Sequence, residues 1–321
     1  MIQIGDQFDR FQIQGHIAHG GMGDVYRAYD LVNRREVALK VPDASMIGDP
    51  AQYERFQREI EVLQRLDHPA VLHGLGCGRF NRTPYLVMEL LEGVSLRTFI
   101  EDSAPLKPEE AVPLMLKIAD GMAYAHENEV VHRDLKPENI ILKVDGQPVI
   151  MDFGLALTKN AHRVTYSNLT AAAGTPDYMA PEQVEGKRGD ERTDVYALGV
   201  ILYELLAGQV PFGGDSNLAV MAQRLQSSAP RLDKQRAGIS PALAAVVAKT
   251  LQRDPERRYA SMTDFIAALE HPEQADLTIL EQTNSAPEPW WKSGFLKAIG
   301  LGLLIFLGII LLSLALQALK P

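Results

Sequence analysis

From Val131 to Asn139 the chain reads Val-His-Arg-Asp-Leu-Lys-Pro-Glu-Asn, with hydrophobic runs on both sides. Charges in such surroundings must be paired or put to use. Asp134 and Asn139 stand five residues apart, with Lys136 between them. An acid there can accept or orient a proton, an amide oxygen can bind Mg²⁺, and an ammonium can steady a phosphate. Met151-Asp152-Phe153-Gly154 follows and adds a second acid beside a glycine. Near the start lies Ile17-Ala18-His19-Gly20-Gly21-Met22-Gly23-Asp24-Val25-Tyr26. Glycines between two strands let backbone N–H groups approach phosphates, although many such turns are plain hairpins. Val37-Ala38-Leu39-Lys40 ends an apolar stretch on a lysine, which could equally reach solvent.

These residues need elements to hold them. Phe11 to Ile17 alternates apolar and polar, the period of a strand. Ala51 to Leu66 predicts an amphipathic helix with Phe56, Ile60, Leu63 and Leu66 on one face. Glu59 adjoins that face and is the best-sited acid for Lys40. Val71 to Gly78 and Pro84 to Leu90 predict two more strands. Ser95 is a good helix cap. Pro108 to Asn128 predicts a long helix, kinked or loosened near Pro113. The stretch between Gly154 and Gly174 is rich in Thr, Ser, Asn and Ala, has no period, and predicts a mobile loop.

The whole chain of 321 residues has room for two lobes, and its net charge of −9 opposes general nucleic-acid binding. The single cysteine, Cys77, cannot form an internal disulfide and suits a small apolar filler. The first ten residues lack the apolar run of a signal peptide. From Ala298 to Leu319 no residue is charged, and most are Leu, Ile, Phe, Ala or Gly. That length spans a hydrocarbon core of about 30 Å as a helix. Trp290 and Trp291 precede it as an interfacial belt would, and the Lys292 and Lys297 bias weakly assigns the bulk of the chain to the cytoplasm.

Taken in order, these segments resemble bacterial eukaryotic-like (Hanks-type) Ser/Thr protein kinases, over about Phe11 to Leu269. The resemblance implies an α+β, two-lobed protein kinase fold with a small β-rich N-lobe and a large helical C-lobe, plus a C-terminal transmembrane helix. The expected divisions are an N-terminal extension at 1–10 and a kinase domain at 11–270, with lobes of about 11–88 and 92–270. A juxtamembrane linker at 271–294 and a membrane helix at 295–319 would follow. The chain would then be a single-pass protein of the cell (inner) membrane with a cytoplasmic kinase domain.

The same resemblance implies roles for residues. Asp134 would receive or orient the substrate hydroxyl proton, and Lys136 would neutralise charge on the γ-phosphoryl group. Asn139 and Asp152 would hold Mg²⁺, or Mn²⁺ in its place. Lys40, oriented by Glu59, would grip the ATP phosphates. Ile17, Ala18, His19, Gly20, Gly21, Met22, Gly23, Val25, Ala38, Met88, Glu89, Leu91 and Ile141 would line the nucleotide site. Among these, Met88 would be the gatekeeper, and the Glu89 to Leu91 backbone would meet the adenine edge. Thr165, Ser167 and Thr170 are candidate phosphoacceptors, with Arg133 as the waiting cation. Gly174 to Glu182 resembles a peptide-docking platform, with Glu182 paired to Arg258, and Asp194 resembles the acid that braces the catalytic loop. The expected reaction is ATP-dependent phosphorylation of Ser and Thr hydroxyls in protein substrates, including the chain's own loop through a homodimer. In one respect the chain departs from the family pattern: Ala18 replaces the first glycine of Gly-x-Gly-x-x-Gly, which implies slower or weaker nucleotide handling. Two other readings stay open: a pseudokinase or nucleotide-binding scaffold at the membrane, favoured by Ala18, and a small-molecule phosphotransferase, opposed by the platform.

Overall fold

The computed structural model describes residues 2–20, 23–43, 49–153, 157–158 and 176–282. The first lobe is an antiparallel sheet of β1 (Gln7–Phe8), β2 (Phe11–Gly20), β3 (Gly23–Asp30), β4 (Arg35–Val41), β5 (Gly74–Phe80) and β6 (Thr83–Met88), in the order β1-β2-β3-β4-β6-β5. The period of two along β4 sorts its side chains. Val37, Leu39 and Val41 join Phe11, Tyr26 and Tyr85 in a small outer core. Ala38 lies on the opposite face, with the main core, and Lys40 shares that face. Residues 1–10 are not merely an extension. They contribute β1, and Phe8 is buried with its ring 4.9 Å from that of Phe80.

Helix α1 (Pro50–Arg65) packs on this sheet. Asp49 caps it by accepting from the Ala51 N–H, and Pro50 occupies its first turn, where no N–H is needed. Phe56, Ile60, Val62 and Leu63 are buried along one face, and Glu59 is buried among them.

The second lobe is mainly helical. It comprises α2 (Leu96–Ser103), α3 (Pro108–Glu127), α4 (Pro181–Val184), α5 (Glu191–Ala207), α6 (Asn217–Gln226), α7 (Leu232–Gln235), α8 (Pro241–Thr250), α9 (Met262–Glu270) and α10 (Ile279–Gln282). Ser95 caps α2 by accepting from the Thr98 N–H. Helix α5 is buried on all sides, as a helix apolar all round must be. Helix α3 runs unbroken through Pro113, so the proline removes a backbone donor without ending the helix. A small sheet of β7 (Gly93–Ser95), β9 (Ile140–Lys143) and β10 (Pro148–Ile150) frames the loop after β8 (Val130–Val131). A short β11 (Leu157–Thr158) pairs with β8.

Two sequence expectations change here. The segment expected as a linker from residue 271 begins folded: Pro272–Gln274 forms a 3₁₀ turn, α10 follows, and Leu280 is only 3% exposed. Ala275, Ile279 and Leu280 dock on the main core, while Leu277 stays exposed. Cys77 is exposed rather than a core filler, because it falls on the outward side of β5. No helix among the described residues is long and apolar enough to cross a membrane. The apolar run and the helix expected at 295–319 lie outside the described residues.

Candidate active site

Lys40 and Glu59 meet inside the protein. The Lys40 ammonium donates to both Glu59 oxygens, at 2.7 and 2.6 Å, with Lys40 9% and Glu59 2% exposed. Strand period turns Lys40 inward and helix period turns Glu59 inward, so each buries a charge that the other compensates. Burial disfavours the Lys40 ammonium, but Glu59 and then Asp152 outweigh it and raise its pKa.

Asp134 is the centre of a second group. Lys136 Nζ donates to Asp134 Oδ2 at 2.9 Å. Asn139 Nδ2 donates to the Asp134 carbonyl at 2.8 Å and to Oδ2 at 3.3 Å. That use of the amide nitrogen directs Asn139 Oδ1 away from Asp134, as a metal ligand requires. Burial works against the Lys136 ammonium, yet Asp134, Asp152 and Glu138 raise its pKa. The Asp152 carboxylate therefore acts on a lysine from each lobe. Asp152 adopts φ of +64°, an uncommon backbone state for a residue with a side chain, flanked by two hydrogen bonds at Met151 before it and a ring contact at Phe153 after it. Met151 N–H donates to the Asn139 carbonyl at 2.8 Å, and His132 Nε2 bonds the Met151 carbonyl at 3.1 Å. The His132 ring also lies 4.7 Å from that of Phe153.

The predicted nucleotide-site residues fall along one register. Ala18 pairs with Val25, Val25 with Lys40, and Ala38 with Met88. Ile17 is exposed, and Met88 is buried at the end of β6. Leu91 and Ile141 are half-buried, with Ile141 on β9. His19 is exposed and bonds Asp24. Gly20 pairs with Gly23, whose φ of +118° suits glycine and where a Cβ would collide with the Val41 carbonyl. Gly21 and Met22 lie outside the described residues, as do Thr165, Ser167 and Thr170. One expectation narrows: the Glu89 N–H is engaged with the His73 carbonyl at 3.1 Å, so that donor does not face an adenine. Oxygen donors at Asn139 and Asp152 suit a hard cation such as Mg²⁺, and a buried ammonium at Lys40 suits phosphate.

The expected supports are in position. Asp194, fully buried, accepts from the backbone N–H groups of His132 and Arg133 and bonds His126 Nε2, each at 2.8 Å. Glu182 and Arg258 form a bidentate pair at 2.8 and 2.7 Å, and Arg258 also donates to the carbonyls of Gln252, Arg192 and Arg253. Two arginines were not anticipated. Arg97 donates to Glu138 at 3.1 Å, to Glu204 at 2.9 Å and to the Tyr178 hydroxyl, tying α2 to the catalytic loop and to α5. Arg224, fully buried, donates to the Asp177 carbonyl at 2.7 Å and to that of Pro176, beneath the platform. Their partners lie far off in sequence, and no local spacing announces them.

The protein kinase domain model matches residues 11–272. The chain belongs to the protein kinase domain family. The kinase domain is 40% identical over 261 residues to the serine/threonine-protein kinase PknL of Mycobacterium tuberculosis, covering 81% of this chain and 65% of that one. It is 34% identical over 267 residues to the serine/threonine-protein kinase PrkC of Bacillus subtilis, covering 83% of this chain and 41% of that one. The chain thus spans from about two fifths to just under two thirds of these relatives' lengths. The solved kinase domain of Mycobacterium tuberculosis PknI superposes with a TM-score of 0.66 at 27% identity, covering 85% of this chain and 100% of that one.

Proposed function

We propose that the chain is an active Ser/Thr protein kinase that transfers the γ-phosphoryl group of ATP to Ser or Thr hydroxyls of proteins. One observation carries this reading. Lys136 and Asn139 both bond Asp134, at 2.9 and 2.8 Å, while Lys40 is held buried by both Glu59 oxygens and Asp152 favours the charged form of each lysine. A phosphate-gripping lysine, a metal-ligating pair and a proton acceptor thus share one cleft, which a scaffold without chemistry does not need.

In the proposed mechanism, Lys40 holds the α- and β-phosphates and Glu59 fixes its position. Asn139 and Asp152 would hold Mg²⁺, which when bound would offset the charge of the phosphates. Asp134 orients the acceptor hydroxyl and takes its proton as the new oxygen–phosphorus bond forms and the bond to ADP breaks. Lys136 offsets charge on the moving phosphoryl group, and its presence two residues after Asp134 favours Ser and Thr acceptors. Positioning and charge compensation supply most of such catalysis. The apolar run at 298–319 supports a membrane anchor that confines the activity to partners near the cytoplasmic face. Phosphorylation of Thr165, Ser167 or Thr170 by a second copy of the chain is part of the same proposal.

The test is transfer of radiolabelled γ-phosphate from ATP to a protein acceptor, with phosphoamino-acid analysis. Wild type should yield phosphoserine or phosphothreonine, and Asp152→Asn should yield almost none. Equal labelling by both proteins would refute the proposal.

A further inference from the structure

The glycine-rich hairpin carries a group of side chains, His19 of the expected nucleotide-site lining among them, to which the proposed mechanism assigns no step. His16 and His19 lie on β2, Asp24 lies on β3, and Asp43 follows β4. His16 Nε2 and His19 Nδ1 both reach Asp24 Oδ1, at 2.8 and 2.9 Å. Ligand atoms of His19, Asp24 and Asp43 all lie within 4.8 Å of one another. The Tyr26 hydroxyl donates to the other Asp24 oxygen at 3.2 Å and fixes that carboxylate. Asp24 is only 19% exposed at its side chain, whereas His19 is 64% exposed and open to an arriving ion.

The geometry points to a transition-metal site of the Zn²⁺ class on this hairpin, separate from the Mg²⁺ ligands Asn139 and Asp152. Three donors, His19 Nδ1, Asp24 and Asp43, would bind the ion, with His16 Nε2 or water in the fourth position. Ligands in tetrahedral zinc sites lie about 2.0–2.2 Å from the metal, so the donors need to move by no more than about an ångström or two. Imidazole with carboxylate is a borderline donor set that favours Zn²⁺ over Mg²⁺, which prefers oxygen and keeps its waters. The Tyr26–Asp24 bond orients a ligand from behind, as outer hydrogen bonds do in metal sites. The three elements joined are those around Gly20, Gly23 and the end of the Lys40 strand. Close backbone approach of Gly23 to Val41 and Pro42 already brings them together. Bound metal would staple the hairpin to the segment after Lys40.

The experiment is calorimetric titration of the purified full-length protein with Zn²⁺, after chelator treatment and without nucleotide. One ion should bind per chain. Affinity should fall by about tenfold or more in His19→Gln and in Asp43→Asn, since each removes a direct ligand. Asp152→Asn, which alters only the cleft, should bind Zn²⁺ as wild type does. Co²⁺ in place of Zn²⁺ should give the visible absorption of a four-coordinate nitrogen and oxygen site, lost in the same two variants. Absent binding, or binding lost in Asp152→Asn and retained in the hairpin variants, overturns the assignment. Phosphotransfer activity plays no part in this readout, so failure here leaves the kinase reading intact.

Discussion

Asp194 takes the backbone N–H of His132 on one carboxylate oxygen and that of Arg133 on the other, each at 2.8 Å. The two residues before Asp134 are thereby hung from the buried helix α5. Burial would raise the Asp194 pKa, but His126, His132 and Arg133 outweigh it and hold it below the ordinary 3.8. Its contribution to stability is therefore complete above pH 3.8 and is lost only as pH falls through the depressed folded value. Replacing Asp194 by Ala strands two buried backbone donors and His126 Nε2, each worth about 1–3 kcal/mol. Urea unfolding should show a loss of about 3 kcal/mol or more. Asp194→Asn should do little better, because its NH₂ would face one of the two N–H groups.

The Lys40–Glu59 pair separates folding from chemistry. Glu59→Gln leaves a buried ammonium without its anion and should cost about 3 kcal/mol. Adding Lys40→Met should recover much of that stability, because an apolar pair of similar volume is nearly neutral. Phosphotransfer should stay abolished in the double variant. Since the Lys40 pKa is raised in the fold, the lysine's contribution persists up to pH 10.5 and declines only as pH rises through the higher folded value, whereas burial raises the Glu59 pKa and works against the ionised pair. Denaturation curves of wild type and the double variant across alkaline pH check this.

Arg258→Lys is not conservative. A lysine cannot reproduce the fork on Glu182 or the three further carbonyl bonds. With Glu182 only 6% exposed, a loss of about 3 kcal/mol is expected in chemical denaturation.

Ala18 lies in β2, just past a register shift against β3 between His16 and Ala18, and its φ is not positive. A methyl group there meets no backbone penalty. Ala18→Gly should therefore shift the KM for ATP by less than about threefold, under 0.7 kcal/mol. A gain of tenfold or more would instead bear out the sequence expectation that Ala18 weakens nucleotide handling.

Much of the site was legible because local periods and ordered motifs carry it. Helix period puts Glu59 on the face with Phe56, Ile60 and Leu63, and strand period puts Lys40 opposite Val37 and Leu39. The spacing within residues 131–139 already implies that Lys136 and Asn139 can reach Asp134. Other features depend on distant partners. Arg97 meets Glu204 across 107 positions, and Arg224 meets the Asp177 carbonyl across 47. No period predicts such pairs. The folded residues after 271 were hidden by polar composition, since among the described ones only Leu280 is buried, with Ala275 and Ile279 packed partly against the core. β1 was missed for another reason: a two-residue strand has no period, and burial of Phe8 against Phe80 and Tyr85 decides it.

The central claim is that Asp134 handles the acceptor proton in a cleft assembled for phosphoryl transfer. Single-turnover transfer from ATP to a protein acceptor, run beside ATP affinity for wild type and Asp134→Asn, measures it directly. The account predicts ATP affinity within about twofold of wild type and a transfer rate lower by about 10²–10⁴. Transfer at the wild-type rate by Asp134→Asn would contradict it.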